Sequence, residues 1–376
     1  MGTLDRYLIR AIVVGGLAST AAFALLIVVF GAIDELPKVN ASYSAIDALS
    51  FVLMTTPGYL YDFYPAAVLV GGLLSLGNLA AHSELTVMRC SGMSMFRLAR
   101  PVLVGATILA LIGMLMGETI GAWGQEKANE MRAEAQGSGV SMNLKSGLWL
   151  RDGQRFINVG QAIVGGRLNR VRVFTVNAQS QPVQLLSASY AISEGGDLWR
   201  LYDVKESTLD TKVPGNSVKV RIVPVQEHVR LFSQKILNIA VLNPRHMNIL
   251  QLHSYVDYLR NNQLDASAYS SALWARVFAP VSVLVMLFVA LPFVFVPQRS
   301  GGAGRWLFIA IVLGVVYLTL VQIVSAFAPV YGVGHPFIPF MSAAVPPALF
   351  AMLGVYAFRR LYPARRVALP TSSPTA

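Results

Sequence analysis

The chain has 376 residues, 55% of them hydrophobic and 13% charged, with a mean hydropathy of +0.55, a balance outside that of an ordinary soluble domain. Its single cysteine, Cys90, excludes an intrachain disulfide and any multi-cysteine metal site. The net charge of +11 does not point to nucleic acid, because the excess sits in short segments beside apolar runs, without a long basic tract or aromatic-basic interleaving.

Residues 11–33 form an uncharged run of about 23 residues, enough to cross ~30 Å of hydrocarbon at ~1.5 Å per residue. Arg6 and Arg10 precede it. The run is too long for a signal-peptide core and shows no cleavage site, so it reads as a retained first span. Asp34, Glu35 and Lys38 follow. Residues 46–64 are apolar but interrupted by Asp47, Pro57, Gly58 and Asp62, which predicts a partly interfacial stretch. Residues 65–81 complete a second span whose Gly71, Gly72, Ser75 and Gly77 allow close helix contact.

Residues 82–100 are charged and helix-forming, between two apolar runs. Ser83 suits an N-cap, Ser91-Gly92 a stop, and Ser94 the start of the next helix. Helical spacing puts Leu85, Met88 and Phe96 near one face and leaves Glu84, Arg89 and Arg97 free to face water or a partner. A connector that only reversed the chain would be shorter, so this one reads as a contact surface; a helix lying on lipid headgroups is the competing reading. Residues 101–117 make a third span, ending at Glu118.

From 121 to about 276 the apolar residues fall into short blocks: 147–150, 155–159, 171–176, 183–192, 198–204 and 218–225. Turn formers separate them, among them Asp152-Gly153, Gly165-Gly166, Gly195-Gly196-Asp197 and Pro214-Gly215-Asn216. This predicts an antiparallel β domain of roughly seven to ten strands. A charged helix over 125–135 leads into it, and an amphipathic helix over 248–260 leads out, with Ile249, Leu252, Val256 and Leu259 on one face. Spans over 277–297, 306–328 and 336–358 close the chain. The fold class is therefore a six-helix (3 + 3) membrane protein with an inserted antiparallel β domain. Its blocks are 1–122 (short loop helix at about 83–91), 123–265 for the β domain with its flanking helices, 266–360, and a Pro/Ser/Thr-rich tail over 361–376 expected to be disordered.

With six spans, one side holds eleven arginines against Asp5 and Glu84, which is +9 of the total +11. The positive-inside rule places both termini and the 82–100 loop in the cytoplasm and the β domain outside. No phosphate loop, H-E-x-x-H pair or G-x-S-x-G elbow is present, and the five histidines are scattered, so nothing argues for an enzyme. No Asp, Glu, Lys or Arg falls in the middle of a span, which argues against coupling to protons or sodium. Energy for uphill movement would then come from another subunit, reached from the cytoplasm, and apolar span walls suit a substrate with a large apolar part. A sensing or mechanotransmitting membrane protein shares this layout without needing uncharged spans around a cavity. A lipid-modifying enzyme would have only Asp34, Glu35 and Asp62 as surface acids.

Several short pieces carry a resemblance: Leu4-Asp5-Arg6-Tyr7, Ser83-Glu84-Leu85 with Ser91-Gly92, Gly147-Leu148-Trp149 with Asp152-Gly153, His253-Ser254-Tyr255-Val256 with Tyr258-Leu259, Pro297-Gln298-Arg299-Ser300, and Tyr331-Gly332. In this order, over nearly the whole chain, they resemble the lipopolysaccharide export permeases of the LptF/LptG family, nearest its G-type subunits. The resemblance implies a jellyroll-like β domain and a heterodimer with a second permease of the family, enclosing an outward-facing apolar cavity. It also implies two copies of a cytosolic ATPase that use the ATP and magnesium, no cofactor on this chain, a periplasmic bridge protein, and a single-span membrane regulator. The location implied is the bacterial inner membrane. The coupling helix would lie at about 83–91, with Glu84 facing basic groups of the ATPase and Leu85, Met88 and Arg89 beside it. Lys38 and Arg132 would meet lipid A phosphates. The chain departs from the family pattern at Phe30-Gly31, where a lysine is expected, and at Asn129, where an arginine is, so phosphate contact is thinner here or shifted to Lys127 or the partner.

Overall fold

In the computed structural model, residues 2–40, 42–90, 95–135, 148–163, 167–177, 179, 181–210, 217–232, 244–294 and 303–361 are described. The expected Ser91-Gly92 stop, Ser94 and the tail from 362 onward lie outside them. Among the described residues, six helical stretches are long and apolar enough to cross a membrane.

The first helix, α1 (Thr3–Glu35), starts where Asp5 accepts from the Gly2 N–H at 3.0 Å. A 3-10 turn, Leu36–Lys38, follows it, with Pro37 barring regular continuation. In α2 (Ala45–Ala81), Ser44 and Asp47 cap each other: Ser44 Oγ accepts from the Asp47 N–H at 3.3 Å and Asp47 Oδ2 from the Ser44 N–H at 2.9 Å. The interruptions at Asp47, Pro57, Gly58 and Asp62 predict a partly interfacial stretch before residue 65. Instead, one 37-residue helix runs through Pro57 and Pro65, about 55 Å at ~1.5 Å per residue, so it outreaches ~30 Å of hydrocarbon.

After α3 (Glu84–Cys90), span three is built from α4 (Met95–Leu115), a π-helical stretch Met116–Gly121, and α5 (Ala122–Ala135). The second half follows the sheet: a 3-10 turn Pro244–His246, then α6 (Ile249–Asn261), α7 (Ser267–Val294), α8 (Ala303–Tyr331) and α9 (Phe337–Leu361). The α6 helix begins with a reciprocal cap between Asn248 and Gln251 and buries Leu252, Tyr255, Val256 and Leu259, the face that the spacing predicts except for half-exposed Ile249.

The bundle is centred on α2, whose apolar stretch is 72% buried against 17% for that of α8. Its small residues each receive a different neighbour. Gly71 lies against the Gly15 backbone of α1, where an added Cβ would sit 2.3 Å from the Gly15 carbonyl oxygen. Gly72 admits Leu287 of α7, and Gly77 the indole of Trp306 on α8. Among membrane helices, which share apolar surroundings with the lipid, such close backbone approach is the main source of packing energy.

Between the helical halves, β1 (Leu148–Asp152), β2 (Arg155–Ile163), β3 (Arg167–Val176), β4 (Pro182–Gly195), β5 (Leu198–Asp210) and β6 (Ser217–Arg230) form one antiparallel meander in sequence order. Among the described residues the strands number six, against the seven to ten that the turn spacing predicts, because the longer apolar blocks form single strands of 13 or 14 residues; the described part of each block falls on one of them. One face buries Leu150, Ile157, Leu168, Val171, Trp199 and Val204, and the Trp199 indole donates to the Phe232 carbonyl at 2.8 Å. Two positive-φ residues, Arg170 (55°) and Asp203 (54°), break the alternation of their strands. Leu168 and Val171, and likewise Leu201 and Val204, therefore face the same side despite their odd spacing.

Candidate functional site

Two groups of the sequence-predicted residues sit at opposite ends of α1. At its C-terminal end, Glu35 is 4% exposed and gathers three donors. Lys38 Nζ lies 2.7 Å from its Oε2, the Tyr43 hydroxyl donates to Oε1 at 3.1 Å, and Arg132 of α5 donates to the same Oε1. The Arg132 guanidinium also covers the Phe51 ring at 4.0 Å, a cation–π contact that favours a charge held partly away from water. Tyr43 is buried, and that burial raises its phenol above the usual range and keeps it a donor. The structure thus brings Lys38 and Arg132 together, as two cations sharing one carboxylate. Arg132 Nε is buried with no partner among the described atoms, and the Lys38 side chain is 50% exposed. The cluster keeps one net positive charge and spare donors, the chemistry that recognises a phosphate.

Lys127 pairs with Glu130 one turn on, at 2.7 Å, with both side chains exposed. At the position expected to be arginine, Asn129 accepts from Gln125 Nε2 at 3.4 Å.

At the other end of α1, the Tyr7 hydroxyl donates to Glu84 Oε2 at 2.9 Å. Ser83 stands at the N-cap position, its carbonyl accepting from the Val87 N–H at 3.0 Å, but with φ 59° it is also the left-handed turn that ends α2. Leu85 (3% exposed) and Met88 (7%) are packed into the bundle core with Leu8, Leu79 and Leu98. They fasten α3 to its own chain, and the surface α3 offers includes Glu84, Thr86, Val87 and Cys90. The Arg89 side chain lies outside the described residues.

Sequence reasoning missed two features. Glu35 is the hub of the Lys38–Arg132 cluster; its i,i+3 spacing to Lys38 is legible in the sequence, its partnership with Arg132 is not. The sequence pattern ends span three at Glu118 and starts span four after Arg276, yet the helices continue through both, and these two side chains form a largely buried ion pair at 2.8 Å.

With this geometry in place, the comparisons are specific. The chain is similar to the lipopolysaccharide export system permease protein LptG of Escherichia coli (strain K12), 32% identical over 364 residues, covering 96% of this chain and 98% of that protein. The protein of the same description from Haemophilus influenzae is 29% identical over 363 residues, covering 94% and 97%. The family model described as lipopolysaccharide export system permease LptF/LptG matches residues 6–360. Six apolar helices divided by an antiparallel β domain, and a match over nearly the whole length, lead to one conclusion: the chain belongs to the LptF/LptG family of lipopolysaccharide export permeases.

Proposed function

We propose that this chain is one half of an inner-membrane permease pair that draws lipopolysaccharide out of the bilayer and passes it to its own β domain and on to a periplasmic bridge protein. Two copies of a cytosolic ATPase supply the energy, and a single-span membrane protein regulates the assembly. Both termini and α3 face the cytoplasm, and the β domain faces the periplasm. In this reading no catalysis and no cofactor belong to the chain itself.

The observation that carries the proposal is the arrangement at the two ends of α1. Glu84 is tied to Tyr7 at one end, and the Lys38–Glu35–Arg132 cluster sits at the other, roughly 40 Å apart at ~1.5 Å per residue. One rigid helix therefore connects the surface that would meet the ATPase with the cations that would meet a lipid phosphate. Glu84 stands in the first turn of α3, where the helix dipole already favours a negative charge, and its exposed oxygens would complement a basic groove.

The test is reconstitution with the partner permease and ATPase in vesicles containing lipopolysaccharide, measuring ATP-driven release to a soluble acceptor. Release should require ATP and fall when lipid A phosphates are removed. Glu84→Lys should weaken ATPase docking, and an acidic substitution in the groove should restore part of it. ATP turnover without lipopolysaccharide release from the unsubstituted complex would refute the proposal.

A further inference from the structure

The π-helical stretch Met116–Gly121 interrupts span three beside the start of α6. Such stretches are uncommon and recur at functional positions. This one carries Glu118, whose two carboxylate oxygens have different partners. Oε1 accepts from Arg276 Nη1 of α7 at 2.8 Å, and Oε2 accepts from the backbone N–H of Ile249, the first residue of α6, at 2.7 Å. The two side chains are 16% and 7% exposed. Arg276 Nη2 also donates to the Arg245 carbonyl at 3.0 Å, and its guanidinium lies 5.1 Å from the centre of the Tyr61 ring on α2. Arg245 in turn donates to Gln322 of α8 at 3.3 Å.

The far end of α6 is fastened to the sheet. The Tyr258 hydroxyl donates to the Arg151 carbonyl at 2.9 Å, and the Gly153 N–H donates to Asn262 Oδ1 at 3.2 Å, both at the turn between β1 and β2. Midway, Tyr255 packs edge-on against Tyr269 of α7 at 4.6 Å. So α6 is a 13-residue strut, about 20 Å long, with the sheet bonded to one end and Glu118 to the other. On the opposite side of the π-helical stretch, Gly117 faces the Tyr61 ring and Gly121 faces the Gly58 backbone. At these two glycines span three puts no side chain of its own between its backbone and α2.

We propose that Glu118 is a positioning residue for transfer of lipid to the β domain: its carboxylate joins span three, the head of span four and α6, so that movement of the outer ends of the spans re-aims the sheet. This rests on the reading that lipopolysaccharide passes from the bundle to the sheet, and it concerns a residue that meets neither the lipid nor the ATPase.

The test uses the whole reconstituted complex with a photoreactive residue in place of Leu148 on β1, reading ATP-driven crosslinking of lipopolysaccharide to the sheet. Lipid bound to the spans and ATP hydrolysis are read in parallel. Glu118→Ala should lower the crosslink about tenfold while the other two readouts stay within about twofold, as for a coupling interaction between sites. Glu118→Gln has a single acceptor oxygen: with that oxygen on the Ile249 N–H it turns an amide donor toward Arg276 and loses that bond with the charge, so the joint to α6 survives and the crosslink should fall between. If the alanine variant does not assemble, Glu118→Gln and Arg276→Lys carry the test, the latter keeping the charge and losing the bond to Arg245. Unchanged crosslinking in both assembled variants would overturn the proposal, as would a parallel fall of all three readouts. A complex without substitutions at Glu118 or Arg276 that never crosslinks in response to ATP would overturn the transfer reading itself.

Discussion

Replacing Glu35 by glutamine separates two effects that most substitutions confound. The carboxylate is 4% exposed, while its cations are wetter, Lys38 at 50% and Arg132 at 26%. Breaking a fully buried pair costs about 3–5 kcal/mol and an exposed one about 0–1. The intermediate burial here places the loss of stability at about 1–3 kcal/mol. The effect on substrate has the opposite sign. A carboxylate about 6 Å from a lipid phosphate repels it by about 3 kcal/mol at an effective dielectric of about 20. Solvent around Lys38 reduces this to about 1–2 kcal/mol, or about tenfold in affinity. Glu35→Gln should therefore unfold at lower temperature in detergent, bind lipopolysaccharide more tightly, and release it more slowly. Thermal unfolding of the purified complex and competition binding measure the first two, and single-turnover release the third. If Glu35→Gln weakened binding as much as Arg132→Ala does, the carboxylate would be holding the cations in place for the lipid, and the competition argument would be refuted.

Gly71→Leu should abolish recovery of the intact complex on size exclusion, because an added Cβ meets the Gly15 carbonyl oxygen at 2.3 Å; Gly314→Ala, whose nearest neighbour is at 3.5 Å, is the matched control and should assemble normally. His246 is held below the ordinary imidazole range by burial first and then by Arg276 and Arg245, whereas the unfolded chain takes up its proton at about pH 6.5. Its contribution to stability is thus complete above about pH 6.5 and is lost as the pH falls through the lower folded value; Tm measured between about pH 7.5 and 5.5 should drop less in His246→Gln. Cys90 is exposed at the end of α3, so an impermeant thiol reagent should label it in inverted vesicles and leave it untouched in intact spheroplasts, and the reverse result would invert the orientation.

Properties carried by neighbouring residues were legible in the sequence. Turn formers bounded every apolar block that became a strand, and uncharged runs marked the spans. Leu252, Val256 and Leu259 gave the buried face of α6 because helical spacing is a local pattern. Pairings across long stretches of chain were not legible. Arg132 is 97 residues from Glu35, and Arg276 is 158 from Glu118, and no periodicity links such positions. Leu85 and Met88 show a different limit: spacing put them on one face, but only packing against Leu8 and Leu98 decides that this face turns inward. The odd spacing of Leu168 and Val171 likewise needs the positive φ of Arg170, which a β-region alternation rule does not anticipate.

Glu35 and Glu118, the two carboxylates with arginine partners from distant helices, differ in what they leave open. A buried arginine is stable only if its donors are satisfied, since an uncompensated charge costs several kcal/mol. At Glu118 the account is closed: both oxygens are engaged, Arg276 is 7% exposed, and its donors reach Glu118 and the Arg245 carbonyl. An incoming phosphate would have to break these bonds before making any. At Glu35 the account is open. Lys38 is half in solvent, Arg132 has a buried Nε without a partner, and two cations face one anion. A phosphate there would complete an unfinished set of hydrogen bonds at little desolvation cost. The same residue types, an arginine and a glutamate from distant helices, therefore leave donors open to an anion where they are wet and unbalanced. Where they are dry and matched, they make a mechanical connection.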